Sequence, residues 1–266
     1  MFMLLMRAYL RLKNSLLFVA AGSLTGCSVY LPLQTSAPLL HDKGEAEVVG
    51  SAYLSGRLEG SVAYSPLQHV LVRAAGGLRP DNRDSTYSRS RQWEAGAGGY
   101  YYIKEQWLIG GLLGYGYGQG ERRYQKTRLT AAFIIPYPTA GSTVAYHSRF
   151  HKLFGEAYIA HDAGWTTFGA ACRLSQVAFA SLTNHGVPVP LRRMTRLEPM
   201  LFMRFGGPGR LPWLQGQVAT SVSVSPEGRS RSLNPEIRDN KEGRLFTTLG
   251  LVIYPHLFRE YAGRSR

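Results

Sequence analysis

Cys27 closes the run Ser23-Leu24-Thr25-Gly26-Cys27 and is one of two cysteines in 266 residues. A thiolate is an intrinsically strong nucleophile, and the small neighbours leave this one open to alkylation by a lipid donor. With Cys27 committed in that way, Cys172 has no partner for an intramolecular disulfide. His147 and Ser148 are types that serve as base and nucleophile. Adjacent strand residues point to opposite faces, however, so this pair cannot share a proton without a bend. His147 and His151 stand four apart, a helical metal-ligand spacing, but no carboxylate follows at a matching interval and no metal is expected. Gly114 to Gly120 reads Gly-Tyr-Gly-Tyr-Gly-Gln-Gly. Its period of two, with no Gly-Lys-Ser after it, marks a strand and not a phosphate loop. No catalytic residue and no cofactor is assigned.

The segment that presents Cys27 carries Arg7, Arg11 and Lys13, no acidic residue, and then the apolar run Leu16 to Ala21. A basic region followed by an apolar core too short to span a bilayer is the pattern of an export signal. Leu24-Thr25-Gly26-Cys27 resembles the lipobox of bacterial lipoproteins. The resemblance implies that residues 1–26 are removed, that Cys27 becomes an acylated first residue, and that Ser28 after it directs the chain to the outer membrane. Several acyl chains, at about 0.8 kcal/mol per buried methylene, make a durable anchor. Loss of the signal takes away three cations and lowers the formal net charge from +14 to +11. An exported chain of this charge is expected to meet anionic lipid and not nucleic acid. Residues 27–44 contain Pro32 and Pro38, show no sustained period, and read as a flexible lipidated tether reaching about 20–25 Å.

From residue 45 to 266 apolar residues fall on alternate positions, the period of a strand with two unlike faces. Val62 and Tyr64 oppose Glu59 and Ser61; Trp107, Ile109, Leu113, Tyr115 and Tyr117 alternate with glycines; Leu201, Met203 and Phe205 oppose Glu198 and Arg204. About ten such strands are expected. Their connections alternate between short ones, such as Ser65-Pro66-Leu67-Gln68, and long ones at 79–91, 119–147, 179–194 and 225–243. This asymmetry predicts an all-β fold, a single antiparallel up-and-down transmembrane β-barrel whose two ends lie on the short-turn, periplasmic side. In such a barrel the polar set points inward, so Glu59, Arg73, Glu94, Glu156, Arg173, Glu198 and Arg204 are expected to form ion pairs in a narrow lumen. In or beside the long connections stand Arg83, Arg89, Arg91, Arg122, Arg123, Lys126, Arg128, Arg192, Arg193 and Arg196. As surface loops these would face lipopolysaccharide phosphates, for which guanidinium is a good partner.

The lipobox, the leader before Lys43-Gly44-Glu45, and the later stretches Phe154 to Gly164, Ala171 to Phe179 and Leu197 to Gly206 together resemble small outer-membrane β-barrel lipoproteins of Gram-negative bacteria. That resemblance implies an architecture and a membrane, not a reaction. The chain departs from many such barrels by running past Phe258 and Tyr261 instead of ending on an aromatic residue. The expected role is structural, adhesive, or limited small-solute passage in the cell envelope. Two alternatives stand beside it: a membrane-embedded lipid hydrolase using His147 and Ser148, similar to lipid A deacylases, and a tethered soluble lipocalin-like barrel holding an apolar ligand.

Overall fold

The computed structural model describes residues 28–80, 86–104, 106–132, 135–207, 211–227 and 232–258. The expected export signal, Cys27 and Arg83 lie outside the described residues, as does the side chain of Arg128. The strands are β1 (Ala46–Tyr53), β2 (Leu58–Tyr64), β3 (Val70–Arg79), β4 (Tyr87–Ile103), β5 (Trp107–Ala132) and β6 (Ile135–Asp162). They continue with β7 (Thr166–Asn184), β8 (Val187–Pro188), β9 (Arg193–Gly206), β10 (Leu214–Ser223) and β11 (Arg244–Ile253), with one short helix, α1 (Pro235–Asn240), before β11. Sequential neighbours pair antiparallel, and β1 pairs β11 with Val48 opposite Ile253. The two-residue β8 only flanks the end of β7, so ten strands make a closed wall without an edge.

The period-2 pattern decides which way each side chain looks. On β5 Trp107, Ile109, Leu113 and Tyr115 are exposed on the outer wall, while Leu108 and Leu112 between them are buried inside. The outer wall is apolar: Leu113 is 74 % exposed, Leu201 69 % and Leu153 64 %. Aromatic rings mark two levels on it. Trp93 and Tyr115 meet edge to face at 5.9 Å, and Tyr101, Trp107 and Trp165 stand near the short turns. From Trp93 to Tyr101 is eight residues of β4, about 26 Å along the strand. Inside, the ring of Phe154 on β6 lies over Gly114, its cross-strand partner on β5. A Cβ at Gly114 would press on that ring and lie 2.5 Å from the Ala95 carbonyl oxygen.

Of the four expected long loops, 119–147 is almost wholly strand, 179–194 largely so, and 79–91 in part. β5 and β6 continue through almost all of 119–147 as a paired hairpin, β4 begins at Tyr87, and β7 runs to Asn184. Alternating hydrophobicity reports an apolar outer face, and it stops where that face stops, although the backbone ladder goes on.

Candidate functional site

The lumen is filled by the chain's own N-terminal segment. Residues 28–40, expected as a flexible tether, run through the barrel as an extended thread. Ser28, Val29, Tyr30, Leu31, Leu33, Thr35, Ala37 and Leu40 are all buried. Fully extended, the thirteen residues span about 40 Å. The thread forms no strand with the wall, so its peptide groups are satisfied by wall side chains instead. Arg122 donates to the Ser28 carbonyl (3.2 Å), Gln92 to that of Leu31 (2.5 Å) and Arg173 to that of Leu33 (3.1 Å). Arg73 and Arg173 both donate to the Gln34 carbonyl, and Arg204 to that of Ala37 (3.1 Å). In the opposite sense, Gln34 N–H donates to Glu59 (3.0 Å), Ser36 N–H and hydroxyl to Glu156 (both 2.7 Å), and Leu39 N–H to Glu47 (2.9 Å). Tyr30 Oη donates to Glu198 at 3.0 Å. Pro32 and Pro38 have no N–H, which removes two donors that a buried unpaired chain would otherwise have to satisfy.

The wall residues that hold the thread are brought together by strand register. Glu156, Arg173 and Glu198 lie directly opposite one another on β6, β7 and β9. Arg173 is 2.6 Å from Glu156, 2.9 Å from Glu94 and 4.0 Å from Glu198. Glu94 also takes Arg73 and Lys152, each at 2.5 Å. Arg73, Lys152 and Arg173 are therefore balanced by Glu94, Glu156 and Glu198 in one buried cluster, because a buried charge is tolerable only when paired. Toward the end where β1 begins Arg204 donates twice to Glu47, at 2.7 and 3.1 Å, and by the β1–β2 turn Arg57 pairs with Glu59, which also accepts from Tyr53 Oη at 2.6 Å. All seven charged residues expected in the lumen are buried there. Six of them touch the thread, and Glu94 supports it through Arg73 and Arg173.

Sequence reasoning left Glu47 and Lys152 out of the lumen set, although both stand on the same polar face by the same alternation, and it offered no signal for Tyr30, Gln92 or the thread itself. Lys152 reaches Glu94 across β5 because Gly116 stands between them in register. A Cβ at Gly116 would lie 2.9 Å from the Lys152 Cε and 2.8 Å from the Trp93 carbonyl oxygen. Gly116→Val is expected to cost about 1–3 kcal/mol through this overpacking. Urea titration of the detergent-folded protein, followed by tryptophan fluorescence, measures it.

The end of the lumen nearest the long connections is capped by α1. Asn234 caps its N-terminus, accepting from Glu236 N–H at 2.8 Å, and Asn240 at its other end accepts from Val29 N–H at 3.3 Å. Tyr124 and Tyr146 donate to Asp239 at 3.3 and 3.2 Å, and Asn184 to Glu236 at 2.6 Å. Beside it, the hydrogen bond from Lys241 holds the Glu227 carboxyl below its usual range. Between thread and wall remains a cavity of about 30 Å³, bordered by Gln34, Ser36, Glu59, Arg73 and Arg204. That is room for a water molecule or two, not for a solute.

The basic residues expected on surface loops divide. Arg89, Arg91, Arg123, Arg192 and Arg193 are exposed at the α1 end of the barrel. Arg196 is not a loop cation: it is fully buried on β9 and donates to Ser223 and to the carbonyls of Lys241 and Glu242, fastening the segment after α1. Arg122 turns in to the thread and Lys126 pairs with Asp239 at 2.5 Å. These three stand on inward positions of strands that outlast the apolar pattern. His147 and Ser148 face opposite ways. His147 is exposed and 3.8 Å from Glu121, while Ser148 is buried and donates to the Gly120 carbonyl. The pair needed for a hydrolase does not form. His151 sits outside against Tyr115 and Tyr117, apart from His147.

No family model matches the sequence. No curated protein matches it in sequence comparison. Among solved structures the chain is similar to the outer membrane protease OmpT from Escherichia coli, at 10 % identity and a TM-score of 0.46, covering 80 % of this chain and 94 % of that one. It is also similar to the translocator domain of the autotransporter NalP from Neisseria meningitidis (10 %, TM-score 0.39, 79 % and 86 %). A third likeness is to the NanC porin (10 %, TM-score 0.36, 78 % and 98 %). The architecture rests on the strand pairing of this chain and not on these likenesses.

Proposed function

We propose that this chain is a closed outer-membrane β-barrel protein, held additionally by a lipid on Cys27, with a structural or adhesive role in the envelope and no enzymatic one. The observation that carries the reading is the inverted polarity of the barrel. Large apolar side chains such as Leu113, Leu153, Leu201 and Leu251 face outward, while Glu94, Arg173, Glu156 and Arg204 are sealed inside. A soluble lipocalin-like barrel needs the reverse, because apolar area left in water costs about 25 cal/mol per Å². A closed ladder with an apolar exterior and aromatic levels about 26 Å apart along β4 matches the demands of a bilayer, where every backbone group must be satisfied internally.

The thread and α1 argue against a standing channel, so small-solute passage requires the thread to move. The opposed faces of His147 and Ser148 argue against a hydrolase. Outer-membrane lipid is the partner of the wall, and lipopolysaccharide phosphates are the partner for Arg89, Arg91, Arg123, Arg192 and Arg193.

The test has two arms. Cell fractionation is expected to place the protein in the outer membrane, where it migrates faster on gels unheated than heated, as closed barrels do. Labelled palmitate is expected to enter the wild type and not Cys27→Ala. A soluble, heat-insensitive protein would remove the barrel-in-membrane reading, and an unlabelled wild type would remove the anchor alone.

A further inference from the structure

The direction of the thread is opposite to that of a periplasmic tether. Its C-terminal end lies by the short turns: His41 stacks on Tyr102 at 4.3 Å, Leu39 N–H meets Glu47, and residues 41–44 form an exposed turn leading into β1. Its N-terminal end lies by the long connections. Ser28 is held by Arg122, which stands five residues beyond Tyr117 on β5 and past the level of Trp93 and Tyr115, and Val29 is held by Asn240 of α1. Between these ends the wall side chains that meet the thread's backbone follow one another from Glu47 and Arg204 through Glu156, Arg173 and Arg73 to Gln92 and Arg122. The chain therefore enters the lumen at the end where β1 begins, and Ser28, its first described residue, lies buried toward the opposite mouth, beneath α1.

We propose that the barrel carries its own N-terminus through the lumen to the cell surface, so that a lipid on the residue before Ser28 enters the outer leaflet and not the inner one. This rests on the outer-membrane reading above, in which short turns face the periplasm. Covalent geometry allows little latitude: the preceding Cα is 3.8 Å from that of Ser28, whereas the thread's other end is about 40 Å away. Ser28 lies at the level of Arg122, where the apolar outer wall gives way to exposed Arg123 and the other cations of the rim. The thread then serves as a strap that joins the two faces of the membrane through a sealed lumen.

The test separates thread direction from lipidation. In one version residues 1–27 are replaced by an ordinary cleavable export signal and a short epitope, so that the exported chain begins epitope-Ser28. In another the same epitope is inserted between Asp42 and Lys43. Antibody is expected to bind the first on intact cells and the second only after the outer membrane is permeabilised. A disulfide between Val29→Cys and Asn240→Cys, in a Cys27→Ala, Cys172→Ala background behind the same export signal, detects the seated thread without an epitope. It is expected to form on mild oxidation and to be lost with reductant. Fractionation of each version in parallel tells the two readings apart. A heat-shifted outer-membrane barrel with the epitope pattern reversed, or with neither surface epitope nor disulfide, overturns the surface location alone. Failure of the versions and the wild type to reach the outer membrane overturns the membrane reading and this inference with it.

Discussion

A chain lacking residues 28–40, with its first exported residue joined directly to His41, is expected to give discrete current steps in a planar bilayer where the full-length protein gives a flat trace. In the intact barrel the thread fills the axis, and the cavity beside it at Gln34 and Ser36 is about 30 Å³. Its removal strips Arg73, Arg173 and Arg204 of carbonyl acceptors and Glu47, Glu59 and Glu156 of N–H donors. Water is the only replacement, and a hydrated column lined by charges conducts. The wall itself keeps every ladder hydrogen bond, because the thread belongs to no strand, so the truncated barrel is expected to retain its heat-shifted migration. A folded but silent truncated barrel would mean that wall side chains and α1 close the lumen by themselves.

Glu94→Gln is expected to destabilise the barrel by about 3–5 kcal/mol, the range for breaking a buried ion pair from one side. Glu94 is the carboxylate shared by Arg73, Lys152 and Arg173, and nothing in the lumen replaces it. Glutamine keeps the shape and leaves three buried cations against two carboxylates. The direct measurement is the urea midpoint of the folded protein in detergent, with wild type alongside. Adding Lys152→Met restores the charge balance and is expected to return more than half of the loss, since removing both partners of a buried pair costs far less than removing one. Equal instability of single and double variants would show that the hydrogen bonds accepted by the carboxylate, and not the charge balance, dominate at Glu94.

Much of the wall was legible in the chain because strand period is a local property. Alternate positions face alternate sides whatever the rest of the molecule does, so Leu113 and Leu201 on one side and Glu94 and Arg173 on the other can be sorted without a structure. The even strand number and the short turns at Ser65 and Asp162 follow from the same bookkeeping of apolar runs and breaks. What failed locally failed for a physical reason. Past Tyr117 the outer face ceases to be apolar, so β5 and β6 lose their signature while keeping their hydrogen bonds, and Arg122, Lys126 and Arg196 were read as loop cations.

The thread lay wholly beyond sequence reasoning. Residues 28–40 have no period because they pair with no strand; the peptide groups that are held are met by side chains scattered over the wall and α1, as Leu33 is by Arg173 and Val29 by Asn240. A polar face identified by alternation states only that its residues turn away from the apolar side. Whether they meet each other, water or another piece of chain depends on barrel closure and register, which place Glu156, Arg173 and Glu198 in one row and leave a column the width of a single extended peptide. The sequence by itself determined the two faces of the sheet and the charges on the inner one. Only the tertiary structure decided what those charges hold and in which direction residues 28–40 run through the lumen, because both are set by contacts between residues up to 211 positions apart.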